Sequence, residues 1–239
     1  MNSDSAPFSY DSIAAEYASK VDAAPYNALY ERPAMLAMLP DVDGARILDA
    51  GCGSGWYAER LLERGASVDA IDASAGMAKF ASERIRRLPE ELSARASVRV
   101  ADLAAPLPFE PASFSGVLSP LVLHYLKDWR PTLREIHRVL RPGGWLLFST
   151  HHPAADARRF ATEDYFRTEK VKDYWEWAGE VEFYRRSLTE IFASLRDAGF
   201  LINAVVEPMP TDGLREARPD SAATLMRQPE FLILMAERG

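Results

Sequence analysis

Cysteine and long apolar runs are scarce in this sequence. Its single cysteine, Cys52, excludes an intrachain disulfide and a cysteine metal cage, which favours a reducing compartment. No apolar run approaches the ~18 residues of a membrane span, and the first residues lack the basic and apolar regions of a signal peptide. We therefore expect a cytoplasmic protein that has no membrane partner.

Positive charge is also in short supply. Lys and Arg number 28 against 35 Asp and Glu, so the formal net charge is −7. Non-specific binding of nucleic acid requires clustered cations that displace counterions from phosphates, so this composition disfavours a nucleic-acid partner. What is present is ordinary: 239 residues, 48% of them apolar, suffice for one domain with a substantial core.

Short apolar runs alternate with amphipathic helical patterns along most of the chain. This alternation predicts an α/β fold, an open parallel sheet with right-handed crossovers and helices on both faces. The last strand follows a proline-broken stretch, 208–229, without a long helix, so it is expected to run antiparallel. The predicted strands are Arg46–Asp49, Ser67–Asp72, Ser97–Ala101, Gly116–Ser119, Trp145–Thr150, Leu201–Glu207 and Phe231–Ala236.

A glycine-rich turn, ILDAGCGSGWY, follows the first predicted strand. A dinucleotide-binding loop needs G-x-G-x-x-G and no anion aimed at the pyrophosphate. Here Trp56 stands in place of the third glycine, and Asp49 ends the strand two residues before Gly51. A carboxylate would repel pyrophosphate but suits an ammonium group with a second cationic centre beyond it. This charge pattern favours S-adenosylmethionine as cofactor.

Two more acidic residues end the next strands. Asp72 follows the loop by about twenty residues, where a carboxylate accepts hydrogen bonds from ribose hydroxyls. Asp102 ends the third strand and is positioned for an adenine amino group, with the amide of Leu103 beside the ring. Each aspartate taken alone is equally explained as a helix cap or turn residue.

These residues together resemble a known family. The motifs are ILDAGCGSG, AIDASAGM, VADLAAPLPF, SPLVLHYLKDW and RPGGWLLFS, and they resemble the class I S-adenosylmethionine-dependent methyltransferases of the type-11, ubiquinone-biosynthesis-like group. The resemblance is close over about residues 10–150. It implies a single domain over 1–239 with a Rossmann-like seven-stranded sheet in the order 3-2-1-4-5-7-6, whose last strand is antiparallel, and a small cap.

The resemblance also implies an N-terminal helical lid over 1–40, because the family's Y-D-x-x-A-x-x-Y pattern places Tyr10 and Tyr17 near the cofactor. In such proteins the position of Met77 packs against adenine. From the residues alone, the first segment is equally an amphipathic cover helix and Met77 a core residue. The predicted cofactor-binding residues are Tyr17, Asp49, Gly51, Cys52, Gly53, Asp72, Ala73, Met77, Asp102, Leu103 and Ser119.

Three of the four histidines are predicted at the carboxyl edge of the sheet. His124 follows the fourth strand, and His151 and His152 follow the fifth, so they are candidates for a general base that removes the acceptor's proton. Each one equally serves as a hydrogen-bonding residue that moves no proton. Their spacing lacks a helical i, i+4 pair, so no metal site is predicted. His137 lies in an apolar helical stripe and is interpreted as structural.

The segment 151–186 is dense in aromatic residues and is predicted to form a cap between strand 5 and the next helix. Apolar and polar residues alternate in two neighbouring stretches, Val171–Trp177 and Glu180–Arg186, and this pattern predicts a β-hairpin. The predicted substrate-binding residues in it are Tyr165, Phe166, Trp175 and Tyr184. A flat, partly apolar acceptor and a dimer interface both explain these aromatics, so monomer and homodimer stay open.

The predicted activity is methyl transfer from S-adenosylmethionine to an oxygen or nitrogen atom of a small, aromatic or partly apolar metabolite. The turn Ser119-Pro120-Leu121-Val122 lacks the second proline and the stacking aromatic that methylation of base amino groups requires. Two alternatives stay open. An NAD(P)-dependent oxidoreductase shares the sheet and Asp72 but is opposed by Asp49, and a non-catalytic S-adenosylmethionine-binding subunit shares the loop.

Overall fold

The computed structural model describes residues 20–175 and 179–239. Tyr10 and Tyr17 of the predicted lid, and Trp177 at the end of the predicted hairpin strand, lie outside the described residues. The lid over the cofactor therefore stays a prediction.

A seven-stranded sheet forms the centre of the fold. The strands are β1 (Arg46–Ala50), β2 (Ser67–Asp72), β3 (Ala96–Val100), β4 (Phe114–Pro120), β5 (Leu140–His151), a separate hairpin β6 (Glu169–Trp175) and β7 (Gly179–Arg185), then β8 (Phe200–Val206) and β9 (Phe231–Arg238). The order in the sheet is β3-β2-β1-β4-β5-β9-β8, with β9 antiparallel to both neighbours. This confirms the order 3-2-1-4-5-7-6, because β8 and β9 are the sixth and seventh predicted strands.

Helices cover both faces of the sheet. They are α1 (Arg32–Met38), α2 (Trp56–Glu63), α3 (Ala75–Arg86), the short α4 (Glu90–Ser93), α5 (Arg130–Val139), α6 (Pro153–Arg159), α7 (Leu188–Asp197), α8 (Asp212–Ala217) and α9 (Pro219–Leu225). Ile47 of β1 packs with α1, α2 and α3 on one face, whereas its neighbour Leu48 packs with α5 and α7 on the other. Both faces are buried because successive side chains of a strand point in opposite directions.

Strand β5 begins at Leu140 rather than at the predicted Trp145. Phe114 of β4 pairs with Leu140, and the register shifts before Gly116 pairs with Trp145. Gly143 has a φ of +73°, a left-handed conformation that suits glycine, and it allows the chain to bend without leaving β4. The strand is thus longer than predicted and irregular. The alternation of apolar and polar residues does not reveal its first half.

The stretch 208–229 contains the two short helices α8 and α9. Pro219 opens α9, where its missing N–H is not needed by the helix. The apolar residues of both helices pack against Tyr30 and Phe231 in a small cluster that also contains Leu214, Ala222 and Leu225. The prolines that predict an irregular insertion therefore mark the ends of helices.

The β6–β7 hairpin is present, displaced slightly from its predicted bounds, and its strands pair from Glu169 with Arg185 to Trp175 with Gly179. The side chain of Arg185 is buried and holds the base of the hairpin. It donates to a carboxylate oxygen of Glu169 at 2.6 Å and to the main-chain oxygen of Asp164 at 2.7 Å. One buried guanidinium thus joins the hairpin to the loop that precedes it.

A buried carboxylate ties the first described segment to the sheet. Glu31 accepts hydrogen bonds from the Tyr57 hydroxyl at 2.8 Å and the Ser149 hydroxyl at 2.6 Å. It links the residue that precedes α1 to α2 and β5. Within the described ranges, no helix is both long and apolar enough to cross a bilayer.

Candidate active site

Two cavities open side by side at the carboxyl edge of the sheet. The first, the glycine-loop cavity, has a volume of about 540 Å³ and is lined by Gly51, Gly53 and Asp72 among others. The second, the histidine cavity, has a volume of about 590 Å³ and is lined by His124 and His151 among others. Leu121 and Tyr125 line both cavities, so the two spaces adjoin.

The glycine-rich turn is shaped by close approach to its surroundings. The amides of Gly51 and Cys52 donate to the Ile71 carbonyl at 2.8 and 2.9 Å, which fixes the turn against β2. Gly51 has a φ of +84°, and a Cβ at this position would lie 2.4 Å from Cγ2 of Val122. Any side chain at Gly51 would therefore displace the segment that follows β4.

Asp49 is the most unusual group of the site. It is fully buried at the end of β1, and neither carboxylate oxygen receives a side-chain or main-chain hydrogen bond from the described residues. Burial, reinforced by the nearby charge of Asp72, raises its pKa to about 7. A buried carboxylate without a donor is costly unless a ligand supplies a cation or a donor. This arrangement fits the ammonium group and cationic sulfur of S-adenosylmethionine.

Asp72 organises the loop as well as facing the cavity. Its oxygens accept hydrogen bonds from the amides of Gly53 and Ser74, both at 2.9 Å. Asp72 also lines the glycine-loop cavity, and a carboxylate is a hydrogen-bond acceptor suited to ligand hydroxyls. At the far side Asp102 accepts from the Ala104 amide at 2.8 Å, and Leu103 is buried beside it.

Most of the predicted cofactor-binding residues are brought together. The residues that line the glycine-loop cavity are Gly51, Gly53, Asp72, Ala73, Met77, Asp102 and Leu103. Cys52 instead buries its side chain in the core behind the loop. Ser119 donates from its hydroxyl to the Ala50 carbonyl at 2.9 Å and so joins β4 to β1. Asp49, Cys52 and Ser119 are not among the residues that line the cavity, so contact of these three with a cofactor stays a prediction.

The hairpin contributes residues to the glycine-loop cavity that sequence reasoning missed. Lys170 and Glu182 line it together with Tyr184, which was predicted to contact the substrate. A cross-strand pairing of β6 with β7 is the only signal that could place them on one face. Tyr184 is thus on the cofactor side of the site, rather than in the histidine cavity.

Two of the candidate histidines form a stacked pair in the histidine cavity. The ring centroids of His124 and His151 are 4.2 Å apart with an interplanar angle of 21°. The ring of Phe183 in β7 packs edge-to-face with His151, with the two ring centroids 4.4 Å apart. The hairpin therefore holds the pair in place against the ends of β4 and β5.

The two rings have different surroundings. His124 is buried, and neither of its ring nitrogens has a hydrogen-bond partner among the described residues. Burial, then the neighbouring His151 and Arg186, lowers the pKa of His124 well below its ordinary value, so this ring is neutral. His151 places Nδ1 3.6 Å from a carboxylate oxygen of Asp156, a buried residue in the first turn of α6. Asp156 carries no sequence signal of its own.

His152, the third candidate, has a different position. Its Nδ1 accepts from the Ala154 amide at 3.1 Å, which caps α6, and its Nε2 lies 2.8 Å from Glu207. It does not line the histidine cavity. The prediction of a catalytic role for His152 is not supported, because adjacent residues of an extended chain point to opposite sides.

Some of the aromatic residues predicted to bind substrate line a cavity, and others do not. Trp175 lines the histidine cavity, where Tyr26, Tyr125 and Phe231 also lie. Tyr165 instead accepts a hydrogen bond from the Leu188 amide at 3.1 Å, and Phe166 is 70% exposed. Neither of these two residues lines a cavity of the site. In the part of the chain that the structure describes, no three His, Cys, Asp or Glu residues form a metal-binding group.

Comparison with known proteins identifies the same class of molecule. A family model described as a methyltransferase domain matches residues 48–148. The structure of an S-adenosylmethionine-dependent methyltransferase from Mesorhizobium loti is 32% identical, covers 91% of this chain and 100% of its own, and superposes with a TM-score of 0.71. A Listeria monocytogenes protein assigned to the same class gives a TM-score of 0.75 at 27% identity, over 87% of this chain and 96% of its own.

A curated enzyme is similar over a shorter region. The ubiquinone biosynthesis O-methyltransferase of Xanthomonas oryzae pv. oryzae is 36% identical over 128 residues, 52% of this chain and 52% of that protein. The chain thus matches about half the length of this relative.

Proposed function

Because the chain belongs to the S-adenosylmethionine-dependent methyltransferases, we propose that it methylates an oxygen or nitrogen atom of a small, aromatic or partly apolar metabolite bound in the histidine cavity. The observation that carries this proposal is the junction of the two cavities at Leu121 and Tyr125. A cofactor in the first space and an acceptor in the second meet there, and proximity supplies much of the rate acceleration of such a transfer.

The residues of the glycine-loop cavity have separate roles in holding the cofactor. When bound, S-adenosylmethionine supplies a methyl group on a cationic sulfur, which leaves as a neutral thioether. Asp49, buried at the end of β1 just before the turn, provides the negative charge for the amino-acid end. In the cavity wall, Asp72 accepts from the ribose hydroxyls, and Asp102 with Leu103 receives the adenine.

The junction itself contains a strained residue. Leu121 has a φ of +54°, in the left-handed region that costs a non-glycine residue about 1 kcal/mol. Its amide donates to the Ser149 hydroxyl at 3.0 Å, which holds this conformation against β5. Backbone strain of this kind is typical of functional turns, and Leu121 lines both cavities.

The histidine cavity suits a partly apolar acceptor. A flat molecule packs favourably on aromatic surface. Four aromatic side chains supply such surface here: Tyr26, Tyr125, Trp175 and Phe231. The neutral ring of His124, whose nitrogens lack partners among the described residues, hydrogen-bonds to the acceptor. His151, oriented by Asp156, takes the proton that an acceptor hydroxyl or ammonium must lose when its oxygen or nitrogen is methylated.

The first test is calorimetric titration with S-adenosylmethionine, S-adenosylhomocysteine and NADH in parallel. We expect micromolar binding of the first two alone. Incubation with methyl-labelled S-adenosylmethionine and a panel of phenols, amines and aromatic acids is then expected to label at least one acceptor class. Binding of NADH alone would instead indicate hydride transfer, and cofactor binding without labelling of any acceptor would favour a non-catalytic subunit.

A further inference from the structure

The lining of the histidine cavity contains more cationic than anionic side chains. Its lining includes three cationic side chains, Lys20, Arg159 and Arg218, and one carboxylate, Glu230, although the formal net charge of the chain is −7. The cavity therefore differs in sign from the molecule as a whole.

The carboxylate is already engaged by one of the cations. Arg159 forms ion pairs with Glu230 and with Asp173, the latter at 2.7 Å. Its charge is thus balanced by the chain itself. By contrast, the guanidinium of Arg218 makes no hydrogen bond or ion pair with the described residues. Arg218 therefore has capacity for a ligand.

The backbone around Arg218 is held firmly. Its amide donates to the Leu214 carbonyl at 2.8 Å, and its carbonyl accepts from the Ala222 amide at 2.9 Å. Leu214 and Ala222 are buried against Tyr30 and Phe231, which also lies in the cavity wall. Ser221, one helical turn further on, faces the same space. The main chain of Arg218 is therefore fixed by hydrogen bonds to α8 and α9.

We infer that Arg218 binds an anionic group of the methyl acceptor, a carboxylate in the simplest case, while the acceptor's reacting atom faces His124 and His151. A guanidinium matches a carboxylate by two parallel hydrogen bonds, which adds orientation to charge attraction. This inference rests on the proposed function and names the chemical class of its substrate: a small, partly apolar organic anion.

The test is a binding experiment with matched probes. Saturation-transfer NMR measures binding of 4-hydroxybenzoate, phenylacetate and 3-phenylpropanoate, and of the three corresponding amides, to the protein saturated with S-adenosylhomocysteine. We expect the acids to bind about tenfold more tightly than the amides, equivalent to ~1.4 kcal/mol. In Arg218→Gln this preference falls to about twofold or less, because the charge is lost and the shape is retained.

Arg215→Gln is the matched control. Arg215 lies on α8 in the same insertion, pairs with Asp212 at 2.9 Å and does not line the cavity, so the variant keeps the preference for acids. Affinity for S-adenosylhomocysteine is expected to be equal in all three proteins, which shows that they are folded. Equal binding of acids and amides by the wild type, no binding of either, or a preference that survives Arg218→Gln would overturn the anion site and leave the proposed function standing. Failure to bind S-adenosylhomocysteine would contradict the proposed function instead.

Discussion

At the scale of single residues, Asp49 combines two properties that oppose each other. Its burial without a donor among the described residues destabilises the ligand-free protein, yet the same negative charge attracts a cationic ligand. Stability without ligand and affinity for the ligand should therefore respond in opposite directions when this charge is removed. A loss of stability that accompanies a gain in ligand affinity is common at functional sites.

Asp49→Asn is expected to raise the free energy of unfolding of the ligand-free protein by about 1–3 kcal/mol at pH 8. The folded-state pKa of Asp49, about 7, lies above its ordinary value of 3.8. The folded state thus binds more protons between these values, and the wild type loses stability as pH rises through this window. The gain from the substitution is therefore absent near pH 4 and complete above pH 7, as measured by urea unfolding at several pH values.

The same variant is expected to bind S-adenosylmethionine at least about tenfold more weakly at pH 8, by calorimetry. Asp220→Asn, at an exposed position of α9, serves as the control and changes neither quantity. A stability gain of equal size at pH 4 and pH 8 would show that the ionised carboxylate is not its source.

The stacked histidines provide the second residue-scale prediction. His151→Ala is expected to lower kcat by about 10²–10⁴, with cofactor affinity unchanged, because the acceptor's proton loses its base. His152→Ala serves as the control: its ring caps α6 outside the histidine cavity, so kcat stays within a few-fold. If His151→Ala turns over normally while His124→Ala does not, the base would be His124.

At the scale of elements, the β6–β7 hairpin contributes side chains to both cavities. One side of it brings Lys170, Glu182 and Tyr184 to the glycine-loop cavity, and Trp175 reaches the histidine cavity. Its attachment depends on Phe183, which packs against His151, and on the buried Arg185 at its base. A hairpin alone is marginally stable, so these contacts decide whether it holds its place.

Arg185→Gln is expected to lower the free energy of unfolding by about 1–3 kcal/mol, because its buried partners lose a charged donor. Amide hydrogen exchange should accelerate mainly in 162–186, where those partners lie. Arg167→Gln is the matched control. The side chain of Arg167 is largely exposed, and its Nε lies 3.8 Å from a carboxylate oxygen of the same Glu169, which is a weak ion pair. Uniform acceleration across the sheet would show that the arginine supports the whole fold rather than the hairpin.

At the scale of the whole molecule, the topology assembles both cavities at one edge of the sheet. Parallel strands β1, β2, β4 and β5 end there, and antiparallel β9 begins there, so His151 pairs with Phe231. The insertion that precedes β9 is thus delivered to the same edge and adds Arg218 and Ser221. A ligand that bridges loop and strands should stabilise the folded chain globally.

S-adenosylhomocysteine at about 100 times its Kd is expected to add ~2.7 kcal/mol of stability, which corresponds to a Tm rise of about 5–10 °C for a chain of this size. The rise is lost in Gly51→Ala, whose Cβ would collide with Val122. Gly44→Ala is the control: it has the same left-handed strain, but nothing lies within 4 Å of its Cβ, so the ligand-induced rise persists. An equal rise with NADH would contradict the selectivity of the loop.

The sequence by itself determined the strands, the glycine-rich turn and the strand-end acids, because alternating apolar runs and turn residues are local signals. The order of the strands in the sheet was predicted only through the resemblance to the methyltransferase family. Only the tertiary structure decided which side chains face a cavity. Neighbours such as His151 and His152 point to opposite sides, and Tyr165 is taken up by a main-chain amide. Asp156 and Arg218 acquire their roles through packing between distant segments, for which a single sequence carries no local pattern.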